Sequence, residues 1–152
     1  MPARRAPRAV RERSPGASTA SLAARRLLLD THVWLWWQAD DRRLGAEARA
    51  NIHAAAEVRF SAASAWEIAI KSAIGKLVLP KGADIHAELE RDGFVPLAVE
   101  IAHAEGVRAL PPLHRDPFDR LLVAQALAEG LTLVTADPAL GRYAVAVLDA
   151  TV

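Results

Sequence analysis

Leu27-Leu28-Leu29-Asp30 is the stretch of sequence that decides the fold. Three consecutive leucines leave no polar side for water, so a strand made from them has to be covered on both faces. Such strands are typical of parallel sheets, and the aspartate marks the point where the strand ends. The stretch therefore predicts an α/β protein with residues 27–29 buried inside it.

Further short apolar runs follow this strand, and patterns typical of helices separate them. Strands that alternate with helices predict a parallel sheet with helices on both of its faces. Residues 76–80 are predicted to be a short extended piece. The predicted strands are residues 27–30, 58–61, 94–97, 131–135 and 145–148, and the predicted helices are residues 31–39, 45–56, 64–74, 84–91, 99–110 and 117–129.

The composition supports a single folded domain. The chain has 152 residues, of which 52% are hydrophobic and 24% charged, so it can bury a core and is not globally disordered. The absence of cysteine excludes disulfide scaffolds, thiolate zinc sites and cysteine nucleophiles. No apolar run reaches the roughly 18 residues that a membrane span needs, and no secretory signal is evident, so we expect a cytoplasmic protein without a membrane segment.

Charge is divided unevenly along the chain, although its formal total is only +1. Residues 1–26 contain seven arginines and one acid, a net charge of +6, whereas residues 27–152 contain 12 basic and 17 acidic residues, a net charge of −5. Residues 1–22 show no hydrophobic periodicity and are predicted to be a disordered basic arm. The alternatives are an organellar transit peptide, an extension without function, or a start codon assigned too far upstream.

Four acids follow strands or begin helices of the predicted sheet. Asp30 ends the first strand, Glu67 lies near the start of the helix after the second, Asp119 begins the long C-terminal helix, and Asp137 follows the fourth strand. The carboxyl ends of parallel strands and the amino ends of the following helices share one edge of the sheet, where ligands bind. We therefore expect these carboxylates to lie close together.

Each of these acids except Asp30 also has a purely structural interpretation as a helix cap. Ser64 and Glu67 fit a capping box, with Ser64 as the N-cap. Asp116 precedes a proline and fits an N-cap with Asp119 three residues later, and Asp137 also precedes a proline. Capping alone does not require the acids to share one edge of one sheet, so their joint arrangement favours a functional site.

A cluster of carboxylates must either take up protons in part or recruit a cation. Two carboxylates ~5 Å apart at an effective dielectric constant of ~20 repel each other by about 3 kcal/mol. An oxygen-only site of this kind selects hard ions such as Mg²⁺ or Mn²⁺, one of them or two, and these ions keep room for water and a phosphate. This chemistry is that of metal-assisted phosphodiester hydrolysis.

Four segments in this order resemble the PIN-domain ribonucleases, and among them the VapC toxins of type II toxin–antitoxin systems. The resemblance extends over residues 27–149, and the PIN domain is taken as residues 27–152. The segments are residues 28–37 (LLDTHVWLWW), 61–71 (SAASAWEIAIK), 114–126 (HRDPFDRLLVAQA) and 133–137 (LVTAD).

The resemblance implies a PIN-like parallel sheet flanked by helices and an acidic quartet that holds Mg²⁺ or Mn²⁺. The quartet falls on Asp30, Glu67, Asp119 and Asp137, with Asp30 and Asp119 as the best candidates for direct ligands. Thr135 and Asp116 are accessory candidates beside the metal, and Asp116 is also interpreted as an N-cap.

The function implied is that of a metal-dependent endoribonuclease toxin, which is silenced by a cognate VapB-type antitoxin and leaves 5′-phosphate and 3′-hydroxyl ends. A homodimer is also expected. The alternative is a catalytically silent PIN-like binding module. A haloacid-dehalogenase-like phosphatase is disfavoured because it needs a second acid where the chain has His32, and a receiver domain because its acidic pair is missing.

Other side chains near these segments leave alternatives open. Trp34 and Trp37 share a helix face, which indicates either core packing or a surface covered by an antitoxin or a second copy. No histidine is expected to bind metal, and His32 is taken as the only one near the site. The cations of the motif segments are interpreted either as phosphate contacts or as solvated surface charge, and no aromatic platform for RNA is evident: Lys71, Arg115 and Arg120.

Overall fold

Five parallel strands form the centre of the computed structural model, which describes residues 24–152. Their order across the sheet is β3-β2-β1-β4-β5. The predicted α/β class with a parallel sheet is therefore confirmed, whereas the predicted basic arm at residues 1–22 lies outside the described residues. The strands are β1 (Arg26–Leu29), β2 (Glu57–Ser61), β3 (Val95–Leu97), β4 (Thr132–Thr135) and β5 (Val147–Asp149).

Six α-helices connect the strands. Two short 3₁₀ turns, Val107–Ala109 and Leu140–Arg142, complete the secondary structure of the described residues. None of the helices within residues 24–152 is long and apolar enough to cross a membrane. The helices are α1 (Thr31–Gln38), α2 (Ala46–Ala54), α3 (Ala62–Ala73), α4 (Ile85–Asp92), α5 (Ile101–Gly106) and α6 (Pro117–Glu129).

Strand β1 lies in the middle of the sheet and is buried on both faces. Leu27 and Leu29 pack into one hydrophobic cluster with Trp34 and Phe60, whereas Leu28 packs into a second cluster on the opposite face, which includes α6. All three leucines are fully inaccessible to solvent. The side chains of a strand alternate between faces, so three adjacent leucines serve two cores at once.

The order in which strands join the sheet changes side at β1, and this change creates a cleft between the connections on the two sides. The chain leaves β1 towards β2 on one side of the sheet and returns to β4 on the other, so β1 pairs with both. In open α/β sheets, ligands bind outside the carboxyl ends of the strands at such a switch point. Asp30 directly follows β1, and Thr135 is the last residue of β4.

Helix α3 begins earlier than the sequence pattern predicts. Strand β2 runs into it without a loop, and Ser61 is the N-cap, whose hydroxyl accepts a hydrogen bond from Ala63 N at 3.0 Å. The predicted capping box of Ser64 and Glu67 is therefore wrong. Ser64 instead accepts a hydrogen bond from the Thr31 hydroxyl at 2.8 Å, which ties α3 to α1.

Other element boundaries also differ from the prediction. The helix predicted over residues 99–110 is α5 followed by a 3₁₀ turn, because Gly106 and the prolines at 111 and 112 do not sustain an α-helix. Residues 76–80 belong to no strand. Helix α6 has the predicted bounds, with Asp116 as N-cap and Gly130 in the left-handed conformation at its end.

Candidate active site

Four carboxylates from separate elements meet at the cleft. Asp30 and Glu67 are buried, with only 5% and 2% of their surface exposed, and Asp119 and Asp137 are half-buried. Asp119 experiences the charges of Asp30 and Glu67, and Asp30 experiences that of Glu67. Asp137 joins the group through His114, which contacts both Asp119 and Asp137. The fold thus places the four acids that the sequence motifs single out in one charged neighbourhood, although within residues 24–152 the one group of three ligand atoms within 4.8 Å of one another is that of Asp119, Asp137 and His114.

Asp30 is held in place by two hydrogen bonds. The Thr135 hydroxyl donates to Oδ2 at 2.7 Å, and the backbone N–H of His32 donates to Oδ1 at 3.3 Å, so the side chain also caps α1. Burial raises the pKa of Asp30, although both hydrogen bonds oppose the shift. Thr135 also accepts a hydrogen bond from Asp137 N at 3.1 Å. Its hydroxyl therefore links Asp30 to the start of the Asp137 turn.

Glu67 has one neutralised oxygen and one that is bare. Lys71 Nζ donates to Glu67 Oε2 at 2.6 Å across one turn of α3. This hydrogen bond is the main reason why the pKa of Lys71 is raised, so the ammonium keeps its charge. Glu67 Oε1 is buried and has no hydrogen-bond partner. A buried carboxylate oxygen without a partner is costly and indicates that the site is completed by another group.

Asp119 lies in an environment that is both buried and negatively charged. Burial, followed by repulsion from Asp30 and Asp116, raises the pKa of Asp119 to about 7, even though His114 acts in the opposite direction. The ordinary value for this carboxyl group is 3.8. A divalent cation beside Asp119 would remove this repulsion, because opposite charge favours the ionised form.

His114 is a site residue that the sequence reasoning missed. Its Nε2 lies 2.8 Å from Asp137 Oδ2 and 3.5 Å from Asp119 Oδ2, so the expectation that His32 is the only histidine near the site is wrong. Its Nδ1 accepts a hydrogen bond from the Asp116 N–H at 3.0 Å, which assigns the proton to Nε2. We infer that His114 is a hydrogen-bond donor to the carboxylates.

Metal ligation by this histidine would require a different arrangement. His114, Asp119 and Asp137 each have one ligand atom within 4.8 Å of the others, which is compatible with a shared cation. A metal on Nε2 would move the imidazole proton to Nδ1, directly against the Asp116 N–H. The oxygen atoms of the carboxylates are therefore the better donor set.

The pKa of Asp137 is lower than its ordinary value. Burial raises this pKa, but hydrogen bonds from Ala139 N and His114 lower it overall.

Of the other candidate site residues, Asp116 and Arg120 have structural roles, whereas Arg115 is open to solvent. Asp116 accepts hydrogen bonds from Phe118 N at 2.8 Å and Asp119 N at 3.3 Å, so it caps α6 and orients its first turn. Arg120 is structural, because its guanidinium donates to backbone carbonyls, including Pro111 O at 3.0 Å, and to the Tyr143 hydroxyl at 3.2 Å. Arg115 is exposed.

Two of the three tryptophans of α1, Trp34 and Trp37, pack within the protein itself. Trp34 is buried against Phe60, with ring centroids 4.8 Å apart. Trp37 contacts Phe94 at 5.5 Å and donates a hydrogen bond to Asp92 Oδ2 at 3.2 Å. Core packing therefore accounts for both rings without a partner protein.

The raised pKa of Asp119 predicts how stability depends on pH in the absence of metal. A carboxyl group whose pKa rises from 3.8 to about 7 on folding contributes most below pH 3.8 and loses that contribution as the pH approaches 7. Asparagine resembles the protonated acid at every pH. In EDTA, the melting temperature of Asp119→Asn minus that of the wild type should therefore be near zero at pH 4 and grow up to pH 7.5. A difference independent of pH would contradict the electrostatic account.

The comparisons with known proteins agree with this geometry. The family model for the PIN domain matches residues 27–146. Ribonuclease VapC22 from Mycobacterium tuberculosis is 33% identical over 113 residues, which cover 73% of this chain and 86% of the relative. The crystal structure of VapBC2 from Rickettsia felis, bound to a DNA fragment from its promoter, matches with a TM-score of 0.56 at 11% identity, over 81% of this chain and 97% of that chain. The fold, the acidic cleft and these matches together assign the chain to the PIN-domain family and, within it, to the VapC ribonucleases.

Proposed function

We propose that this protein is the endoribonuclease toxin of a type II toxin–antitoxin pair and that it hydrolyses RNA phosphodiester bonds with Mg²⁺ or Mn²⁺. The observation that carries the proposal is the meeting of four carboxylates at the β1–β4 cleft with too little positive charge around them. Glu67 Oε1 has no partner, and the pKa of Asp119 is raised by burial and, after that, by its acidic neighbours. The similarity to Ribonuclease VapC22 supports RNA as the substrate.

In this proposal Asp30 and Asp119 are direct metal ligands, and Glu67 and Asp137 complete the acidic quartet. A divalent ion would neutralise charge on the phosphate and lower the pKa of the attacking water. Oxygen donors at a half-buried site fit Mg²⁺ and Mn²⁺ better than softer metals. Attack by water in line with the leaving 3′ oxygen would produce a 5′-phosphate and a 3′-hydroxyl.

The surrounding side chains keep these carboxylates in position. The Thr135 hydroxyl bonds to one oxygen of Asp30 and thereby restrains its rotation. His114 donates to Asp137, and Asp116 orients the turn that carries Asp119. Such supporting hydrogen bonds orient metal ligands, and their loss usually costs about 10- to 100-fold in affinity or activity.

Protein partners are also part of the proposal. The Rickettsia felis structure is described as VapBC2 bound to promoter DNA, which supports a VapB-type antitoxin as the partner of this chain. A homodimer and a cytoplasmic location remain predictions. The main alternative, a silent PIN-like binding module, is disfavoured because all four acids are present and converge.

The proposed activity predicts RNA cleavage that depends on a divalent cation. Purified protein should cut single-stranded RNA in Mg²⁺ or Mn²⁺ and stop when EDTA is added, since without a cation the acidic site repels the phosphate. End-labelled RNA resolved on a denaturing gel measures the reaction and identifies the ends. Restored cleavage after excess Mn²⁺ is the control. A Mn²⁺-dependent rise in melting temperature without any cleavage would favour the silent module.

A further inference from the structure

A pair of aromatic rings, of which Trp66 is exposed and Phe118 half-buried, lies on the two helices that carry Glu67 and Asp119. Trp66 on α3 and Phe118 on α6 pack edge to face, with ring centroids 5.3 Å apart and planes 69° apart. Trp66 nevertheless keeps 62% of its surface exposed, which makes it unlike Trp34 in the core. Contact with Phe118 restrains the indole, so it is a preorganised flat surface rather than a loose side chain.

The two aromatic residues occupy equivalent positions relative to the carboxylates of the site. Each aromatic residue directly precedes an acid of the site: Trp66 precedes Glu67, and Phe118 precedes Asp119. The same two helices thus approach each other at two successive positions: the rings of Trp66 and Phe118 are in contact, and Glu67 is near enough to Asp119 for their charges to repel. Consecutive residues of a helix point about 100° apart, so the ring pair lies at the solvent side of the helix starts that carry Glu67 and Asp119, beside the carboxylates rather than among them.

We propose that Trp66, supported by Phe118, is a stacking platform for an RNA base next to the phosphate that is cleaved. This inference rests on the proposed ribonuclease function. Proteins that bind single-stranded RNA stack unpaired bases on exposed aromatic side chains, at about 1–3 kcal/mol per base. The exposed Arg115 lies just before α6 and supplies positive charge for a flanking phosphate, whereas Lys71 is paired with Glu67.

The rest of α3 offers an internal comparison. Its apolar surface continues at Ile70 and Ile74, one and two turns beyond Trp66, and Ile74 is as exposed as Trp66. These isoleucines would suit a protein partner but have no flat ring for a base. Trp66 alone among the three directly precedes a carboxylate of the cleft and is supported by a second ring. The position of Trp66 therefore favours RNA over a protein partner.

Steady-state cleavage of a short RNA with one mapped site tests the proposal. Trp66→Ala should lower kcat/KM by about 10- to 100-fold, mainly through KM, whereas Trp66→Phe should recover most of the activity because it keeps a π-face. Ile74→Ala is the matched control and should cleave like the wild type. The Mn²⁺-dependent rise in melting temperature should be the same in all four proteins, because Trp66 does not touch the ion.

A substrate that lacks one base makes the test specific. Removing the base next to the mapped phosphate should slow the wild type by the same factor as Trp66→Ala, and should slow Trp66→Ala no further, because both changes remove one interaction. Additive losses would overturn the proposal. Equal cleavage by Trp66→Ala and the wild type would also overturn it. Equal defects in Trp66→Ala and Ile74→Ala, together with a changed oligomeric state, would overturn it as well, because they would indicate a protein interface at this surface.

A binding measurement separates this inference from the proposed activity. In the Asp119→Asn background, fluorescence anisotropy of labelled single-stranded RNA should give a Kd that rises about 10-fold when Trp66→Ala is added. If the wild type does not cleave RNA but this rise is observed, the proposed activity fails and the stacking platform stands. If the wild type cleaves RNA and neither Kd nor KM responds to Trp66→Ala, the platform fails alone.

Discussion

Asp119→Asn should reduce metal-dependent RNA cleavage by about 100- to 1,000-fold, the range seen when a charge-stabilising group at a reacting centre is removed. Asparagine keeps the size of the side chain and the start of α6, but it removes the negative charge. Asp30→Asn should have an equally large effect, because Asp30 is the buried acid at the end of β1. Neither change should unfold the protein.

Two measurements establish the cause of this loss. Single-turnover cleavage in saturating Mn²⁺ gives the rate, and the Mn²⁺-dependent shift of the melting temperature reports metal binding, which should weaken in both variants. Asp84→Asn is the matched control, because Asp84 is an exposed N-cap on α4 and asparagine caps equally well. Cleavage by Asp119→Asn at the rate of Asp84→Asn would refute the site assignment.

Lys71→Met should destabilise the metal-free protein by about 2 kcal/mol. Removing one partner of a buried ion pair typically costs 3–5 kcal/mol, and the estimate here is lower because the Lys71 side chain is 36% exposed. Glu67 would then be a buried carboxylate without a partner on either oxygen. Mn²⁺ should restore much of the loss, because it supplies a cation where the ammonium was.

Urea denaturation in EDTA and in Mn²⁺ measures both parts of this prediction. Lys76→Met is the control, since Lys76 is exposed in the turn that follows α3. This change should alter the free energy of unfolding by less than about 0.5 kcal/mol. The double variant Lys71→Met/Glu67→Gln should regain part of the stability in EDTA, because no buried charge is left unpaired. The same loss in Lys71→Met and Lys76→Met would rule out the proposed role of the ion pair.

Local chemistry explains why much of the fold was predictable. The bounds of α6 follow from Asp116 and Pro117 at its start and Gly130 at its end, which are signals within the helix itself. The start of α3 was not predictable in the same way, because Ser61 and Ser64 both suit an N-cap. Ser61 takes that role because β2 continues into the helix, and Ser64 faces the Thr31 hydroxyl instead.

The sequence predicted which acids form the candidate site, but it did not predict the side chains that surround them. The carboxyl ends of parallel strands share one edge, so the motif acids could be expected to meet there. No periodicity identifies His114, because it lies 23 residues from Asp137 and meets it only after the chain has formed α6 and β4. A possible signal was its place at the start of the 114–126 segment, two residues before the N-cap.

The sequence by itself determined the architecture and singled out the acids of the site, because a strand of three leucines must be covered on both faces and the carboxyl ends of parallel strands share one edge. Only the tertiary structure decided how each group is used. It left Glu67 Oε1 without a partner, occupied Arg120 with backbone carbonyls and exposed Trp66 while burying Trp34. Burial and hydrogen-bond partners depend on contacts between distant segments, and these contacts exist only in the folded chain.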